Sequence, residues 1–112
     1  MDSIRQKKIS RLIQKDLGEI FQREVPELVS GTMVSVTTVR VSPDLGIAKV
    51  YLSIFPSERK NEVFELVKNG GGKIRLFLGK RVGKQLRVIP DLHFFVDDTL
   101  DYIDNIDRLL ND

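Results

Sequence analysis

Three consecutive glycines, Gly70, Gly71 and Gly72, stand between two stretches whose apolar residues recur at helical spacing. Before them, Val63, Leu66 and Val67 form the stripe of a segment that begins after Pro56 with Ser57 as its N-cap. After them, Ile74, Phe77, Leu78 and Val82 form a second stripe. Each glycine costs about 1 kcal/mol of helix stability relative to alanine, so three in succession break or sharply kink a helix. The spacing therefore predicts two consecutive helices meeting at a hinge made by Gly70, Gly71 and Gly72.

The remaining elements follow from periodicity. Ile9, Leu12, Ile13, Leu17, Ile20 and Phe21 predict a first helix over residues 3–24, closed by Pro26. Residues 34–41, rich in Val and Thr, read as a strand. Its alternation changes phase between Val36 and Val39, which predicts a bulge or twist near Thr37 and Thr38. Ser42-Pro43-Asp44-Leu45-Gly46 is a turn, and residues 47–55 form a second strand, antiparallel to the first. Ala48, Val50, Leu52 and Ile54 face one way, and Lys49, Tyr51 and Ser53 the other. Pro90 precedes a third strand at residues 92–96, and Asp97, Asp98 and Thr99 cap a last helix whose Ile103, Ile106 and Leu110 share a face. Three strands with helices packed on one face make an α+β two-layer sandwich. At 112 residues we expect one domain over 1–112, with core enough for one and not two. No run of about 18 apolar residues offers a membrane span, and the first residues are charged rather than an apolar signal segment. Cysteine is absent, which removes disulfides, thiolate metal sites and cysteine nucleophiles, and fits a cytoplasmic protein.

Charge is small in total, +2, but segregated. From Lys73 to Arg87 the chain holds Lys73, Arg75, Lys80, Arg81, Lys84 and Arg87 and no acid. On a helix running to Arg87, the residues Lys73, Lys80, Lys84 and Arg87 fall near one side, opposite the apolar stripe. The first helix adds Lys7, Lys8 and Arg11 in its first half, while the stretch from Asp97 onward carries six aspartates against Arg108. Two basic segments able to form one patch point to a polyanion, and RNA or DNA is the commonest in a cell. A solvated face is the competing reading of any basic helix. Lys80, Arg81 and Lys84 lack acids nearby in sequence, which favours RNA contact. Arg75 and Arg87 read equally as RNA contacts or as partners of a carboxylate such as Asp91, and Lys7, Lys8 and Arg11 read nearly as well as a solvated terminus.

Catalysis finds little support. His93 is the only histidine, so no second histidine or cysteine completes a metal site with it. Asp97 and Asp98 point to opposite faces of a strand end, and Gly-Gly-Gly-Lys lacks the strand, loop and helix of a P-loop. We expect no enzyme activity, metal or cofactor. Phe94 and Phe95 are candidate stacking rings, but alternation assigns Phe94 to the core, and we expect helix packing for Phe95.

The order α-β-β-α-α-β is similar to that of the second type of KH domain, an RNA-binding module with a GXXG loop that clamps about four nucleotides of backbone. Lys73 stands where the second glycine of a GXXG begun at Gly70 would fall, so the standard clamp is absent. Three local motifs occur in order: Ser42 to Tyr51 within the hairpin, Ile74-Arg75 followed by Leu78-Gly79, and Arg87 with Pro90, Leu92, Phe94 and Asp97. On these the chain resembles the bacterial ribosome-binding factor A family, whose patterns are S-x-D-L-x-x-A-K-V-Y, I-R-x-x-L-G and R-x-x-P-x-L-x-F-x-x-D. That family has an Ala-x-Gly kink in a KH-like domain. Here Gly70 replaces the alanine while Gly72 keeps the glycine, so we expect a looser hinge. The resemblance implies a factor without chemistry that attaches to the free, immature 30S ribosomal subunit. It implies assistance to late maturation of 16S rRNA, including processing of its 5′ end, and a link to growth in the cold. It leads us to expect a monomer that binds rRNA, not membrane. The alternative is a protein-interaction module that docks a ribosomal protein through the acidic last helix, without direct RNA binding.

Overall fold

The computed structural model describes residues 3–29 and 31–97. The chain opens with helix α1 (Ile4–Arg23), started by a capping box: the Gln6 amide donates to Ser3 Oγ at 3.1 Å, and the Ser3 amide to Gln6 Oε1 at 2.8 Å. Gln6 is buried, and its Nε2 donates to the Val41 carbonyl at 2.9 Å, tying the start of the helix to the sheet. Ile9, Ile13, Leu17 and Ile20 bury one stripe of α1. Pro26 does more than close this helix. It starts a short second helix, α2 (Pro26–Val29), as a residue with fixed φ and no amide hydrogen readily does.

Strands β1 (Met33–Val41) and β2 (Ile47–Phe55) pair antiparallel, with the register shifting between Val36 and Thr38. Thr37 is the extra residue, so the expected bulge is present. Strand β3 (Asp91–Val96) lies parallel to β2, giving the order β1-β2-β3. A parallel neighbour requires a crossover, and residues 56–90 supply it with helices α3 (Lys60–Asn69) and α4 (Gly71–Val82). Val63 and Val67 of α3, Ile74, Leu78 and Val82 of α4, and Val39, Val50, Leu52 and Phe94 of the sheet share one core with α1. The architecture is the expected KH-like α+β fold with helices on one face of a three-stranded sheet.

Four local expectations change. Ser57 does not cap α3: residues Ser57–Arg59 form a 3-10 turn, and α3 begins at Lys60 without a side-chain cap. The break between α3 and α4 is one residue wide, because Gly71 and Gly72 lie in the first turn of α4. Gly70 is not a loose joint. Its amide donates to the Leu66 carbonyl at 2.9 Å, and its carbonyl accepts from the Ile74 amide at 3.0 Å. Helix α4 also stops at Val82, short of Lys84 and Arg87. Gly83 follows with still-helical φ −60° and ψ −24°, so close to the preceding turn that a Cβ there would lie 2.6 Å from the Gly79 carbonyl oxygen. Finally, Phe95 packs on no helix among the described residues but stacks on Tyr51 at the outer side of the sheet. The predicted last helix lies outside the described residues.

Candidate nucleic-acid interface

With Ile74, Leu78 and Val82 turned inward, α4 presents its cations to the periphery, but most of them are already engaged. Lys73 Nζ lies 2.5 Å from the Glu27 carboxylate on α2. Arg75 donates to two carbonyls, those of Pro90 at 3.1 Å and Ile89 at 2.6 Å, with the Asp91 carboxylate 3.7 Å away. Arg75 thus has structural partners, main-chain carbonyls first and Asp91 at longer range. It pins the segment leading into β3. Arg81 corrects the sequence reading most clearly. Its guanidinium, only 24% exposed, donates to Asp16 at 3.0 Å and also to Glu19, both on α1. These acids are remote in sequence and adjacent in space. Lys80 is exposed and lies 5.7 Å from the centroid of the Phe77 ring, a cation–π contact that orients the ammonium.

Arg87 sits where two grooves meet. The larger, about 720 Å³, runs between the start of α1, the β1–β2 turn and residues 85–90, and it brings Arg5 and Lys8 together with Arg87. The second, about 610 Å³, brings Arg87 together with Arg75 and Lys80. Arg5, Lys8, Lys80 and Arg87 have no ion-pair partner among the described residues. All four are exposed and form a strip along the two grooves; Lys84, on the turn beyond α4, is exposed too but lines neither groove. Leu12, Leu45 and Leu86 give the larger groove an apolar floor. Lys7 and Arg11 do not join this strip. They line a shallow groove at the edge of β1 with Arg40.

The wall of the larger groove is a turn held by its own side chains. Ser42 Oγ donates to Asp44 Oδ1 at 2.6 Å and accepts from the Ile47 amide at 3.0 Å, while the Gly46 amide donates to the same Asp44 oxygen at 3.0 Å. The Ser42 hydroxyl first, and the Gly46 amide next, hold the Asp44 carboxyl below its ordinary pKa. Leu45 adopts φ 61°, a left-handed conformation that this network over-determines. The Gly46 carbonyl accepts from the Asp91 amide at 2.9 Å, so the turn also fixes the start of β3. The S-x-D-L pattern is thus a structural lock beside the cationic strip.

Elsewhere, hydrogen bonding to Arg81 lowers the Glu19 pKa and hydrogen bonding to Lys73 lowers that of Glu27, while Glu19 and then Asp16 raise that of Arg81. Among the described residues no group of three or more histidines and acids is placed to hold a metal ion. Nor is any helix among them long and apolar enough to cross a membrane. The geometry offers cations in grooves, suited to positioning phosphates rather than to bond making. Sequence reasoning missed Arg5, although it precedes Lys8 by one helical turn and so shares its face. It also passed over Arg40 and Lys49, whose convergence depends on strand register.

A family model described as ribosome-binding factor A matches residues 5–110. The ribosome-binding factor A of Flavobacterium johnsoniae is 50% identical over 111 residues, covering 98% of this chain and 85% of the relative. The fold is similar to the crystal structure of ribosome-binding factor A from Thermus thermophilus, with a TM-score of 0.66 at 24% identity over 81% of this chain and 94% of that one. A homology model of the Thermus thermophilus factor, fitted into a cryo-electron-microscopy map of a 30S complex, gives a TM-score of 0.62 at 25% identity, covering 79% of this chain and 90% of that one.

Proposed function

The chain belongs to the ribosome-binding factor A family, and from that membership we propose that it binds the free, immature 30S subunit through 16S rRNA and assists late maturation of that RNA, including processing of its 5′ end. The observation that carries this reading is the strip of Arg5, Lys8, Lys80 and Arg87 across two adjoining grooves, without acidic partners among the described residues. Phosphate contacts of this kind hold an RNA segment in place while specifying little sequence. Such a contact is suited to a factor that stays while a site is remodelled and then leaves. The 30S complex of the Thermus thermophilus relative supports the same partner. In this reading residues 1–112 act as one KH-like RNA-binding unit, a cytoplasmic monomer without cofactor or catalytic step.

The test is sedimentation of the tagged protein with ribosomal fractions, from cells grown warm and cold, over a range of salt. The expected result is cosedimentation with free 30S subunits, enriched in the cold and weakened steeply by salt, with unprocessed 16S precursor in cells lacking the protein. Equal association with translating ribosomes overturns the reading. Association insensitive to salt and to removal of naked-RNA contacts assigns the chain instead to docking on a ribosomal protein.

A further inference from the structure

The side of the sheet facing away from the helices carries a pattern that the proposed subunit contact does not use. The alternation that buries Ala48, Val50, Leu52 and Ile54 turns Lys49 and Tyr51 outward on the central strand. Register sets Lys49 opposite Arg40 on β1 and His93 on β3, and sets Tyr51 opposite Thr38 and Phe95. Two rows therefore cross the three strands side by side, one of basic side chains and one ending in paired rings. Tyr51 and Phe95 stack with ring centroids 5.3 Å apart and planes inclined at 25°. Phe95 remains 40% exposed.

An aromatic pair in the middle of a solvent face has no packing role among the described residues, and it leaves apolar ring surface in water. Arg40, Lys49 and His93 are exposed, and none has an ion-pair partner among those residues. Acids on the face are themselves engaged: Asp97 accepts from the Thr37 hydroxyl at 2.7 Å, and Asp91 lies 3.7 Å from Arg75. A ring face beside a row of basic side chains, two of them the cations Arg40 and Lys49, is what an unpaired nucleotide requires, one surface for the base and another for its phosphate. A duplex presents no free base face. Arg40 also lines the shallow groove at the β1 edge with Lys7 and Arg11, so the cationic row continues around that edge onto α1.

We propose that the outer sheet face is a second RNA site, which binds an unpaired segment by stacking bases on Tyr51 and Phe95 with their phosphates along Arg40, Lys49 and His93. It is separate from the strip at Arg87, which lies in grooves against α1 and α4. One domain then holds RNA on two separate surfaces, the strip at Arg87 and the outer sheet.

The test is fluorescence anisotropy of the full chain with a labelled oligoadenylate and, separately, an RNA hairpin, neither of which involves a ribosome. Phe95→Leu keeps the strand apolar but removes the ring, and is expected to weaken oligoadenylate binding about fivefold or more while leaving hairpin binding unchanged. Tyr51→Phe keeps the ring and is expected to bind as the unaltered chain does. Arg40→Ala with Lys49→Ala is expected to reduce the salt slope for the single strand by about 0.7 per lost contact. This pair keeps the proposal testable if Phe95→Leu fails to fold. Oligoadenylate affinity unchanged in both Phe95→Leu and the charge pair overturns the site. So does equal loss of hairpin and single-strand binding. A dimer in sedimentation equilibrium that Phe95→Leu dissociates, with RNA affinity unaltered, assigns the face to a second copy of the chain and also overturns it. Failure here leaves the 30S cosedimentation test untouched.

Discussion

The Arg81 guanidinium donates to the Asp16 carboxylate across 3.0 Å, although 65 positions separate them in the chain. Glu19 accepts from the same nitrogen. Together they bolt the end of α4 to the middle of α1, so Arg81 is a structural cation inside a basic segment. Arg81→Met keeps most of the side-chain volume and removes the charge. The ion pairs are screened by solvent, so we expect a small loss of stability, read as a lower melting temperature. The salt slope of RNA binding should stay unchanged. A slope reduced as much as by loss of an exposed lysine would restore Arg81 to the interface.

Removal of the free cations should do the reverse. Lys8 and Arg87 converge on one groove and have no ion-pair partner among the described residues. Lys8→Ala with Arg87→Ala is expected to leave thermal unfolding within about 0.5 kcal/mol of the unaltered chain. The salt slope for small-subunit RNA should fall by about 0.7–0.9 per lost phosphate contact. Titration at several salt concentrations decides it, and an unchanged slope in a folded variant makes the groove a solvated face.

What the sequence disclosed and what it hid divides along contact distance. The bulge at Thr37 is legible because apolar alternation on one strand changes phase, and the hairpin because Ser42, Asp44 and Gly46 sit within a few positions. The two acids that neutralise Arg81 are 62 and 65 positions away, and no local pattern reports them. Arg75 was legible only as a choice, since a charge count cannot reveal that its donors reach main-chain carbonyls. The end of α4 was hidden because Leu86 continues the apolar rhythm past Val82, where the helix stops. The outer sheet rows were hidden for a related reason. Arg40, Lys49 and His93 belong to three strands, and only pairing register aligns them.

Arg75 supplies a test of geometry against charge. Its Nε and guanidinium nitrogen donate to the carbonyls of Pro90 and Ile89, a fork that a lysine cannot reproduce. Arg75→Lys keeps the charge and is expected to cost about 1 kcal/mol, the net value of a typical hydrogen bond. It should speed exchange of the Leu86 and Asp91 amides, which donate to the Val82 and Gly46 carbonyls on either side of Ile89 and Pro90. Exchange and stability both equal to those of the unaltered chain would make the fork incidental.

Acid should loosen the molecule through its paired carboxylates. Glu19, Glu27 and Asp44 all have folded-state pKa values lowered, by Arg81, Lys73 and Ser42 respectively. A lowered folded-state value means that the unfolded chain takes up protons first. The stabilisation is complete above the ordinary carboxylate value and is lost as pH falls through the lowered one. The urea midpoint is thus expected to decline below about pH 4.5, the ordinary glutamate value. The decline should be shallower in Arg81→Met, which has no Glu19 pair to lose. Identical pH profiles for the two chains would deny Glu19 its part.

The hinge makes the most direct link from sequence to placement of the strip. Gly70 has φ −89°, which any residue adopts, so its need for glycine is not conformational. A Cβ there would lie 2.7 Å from Leu28 Cδ1 and 3.2 Å from the Leu66 carbonyl oxygen. Gly72 has open space, and Gly71 meets the Phe94 ring at an ordinary 3.6 Å. Gly72→Ala should therefore stabilise α4 by roughly 0.5–1 kcal/mol. Gly70→Ala should destabilise by about 1 kcal/mol through overpacking against Leu28 and rotate α4 relative to α3. That rotation carries Arg75 and Lys80 out of line with Arg87, so small-subunit association should weaken as well. Since Leu28 is the nearer obstruction, Leu28→Ala should relieve the larger part of both effects when combined with Gly70→Ala, leaving only the 3.2 Å approach to the Leu66 carbonyl oxygen. A double-mutant cycle in urea unfolding, read beside cosedimentation, measures the coupling. Strictly additive stabilities, with association equally weak in the double variant, would show that Gly70 is kept for some reason other than the close approach of α2.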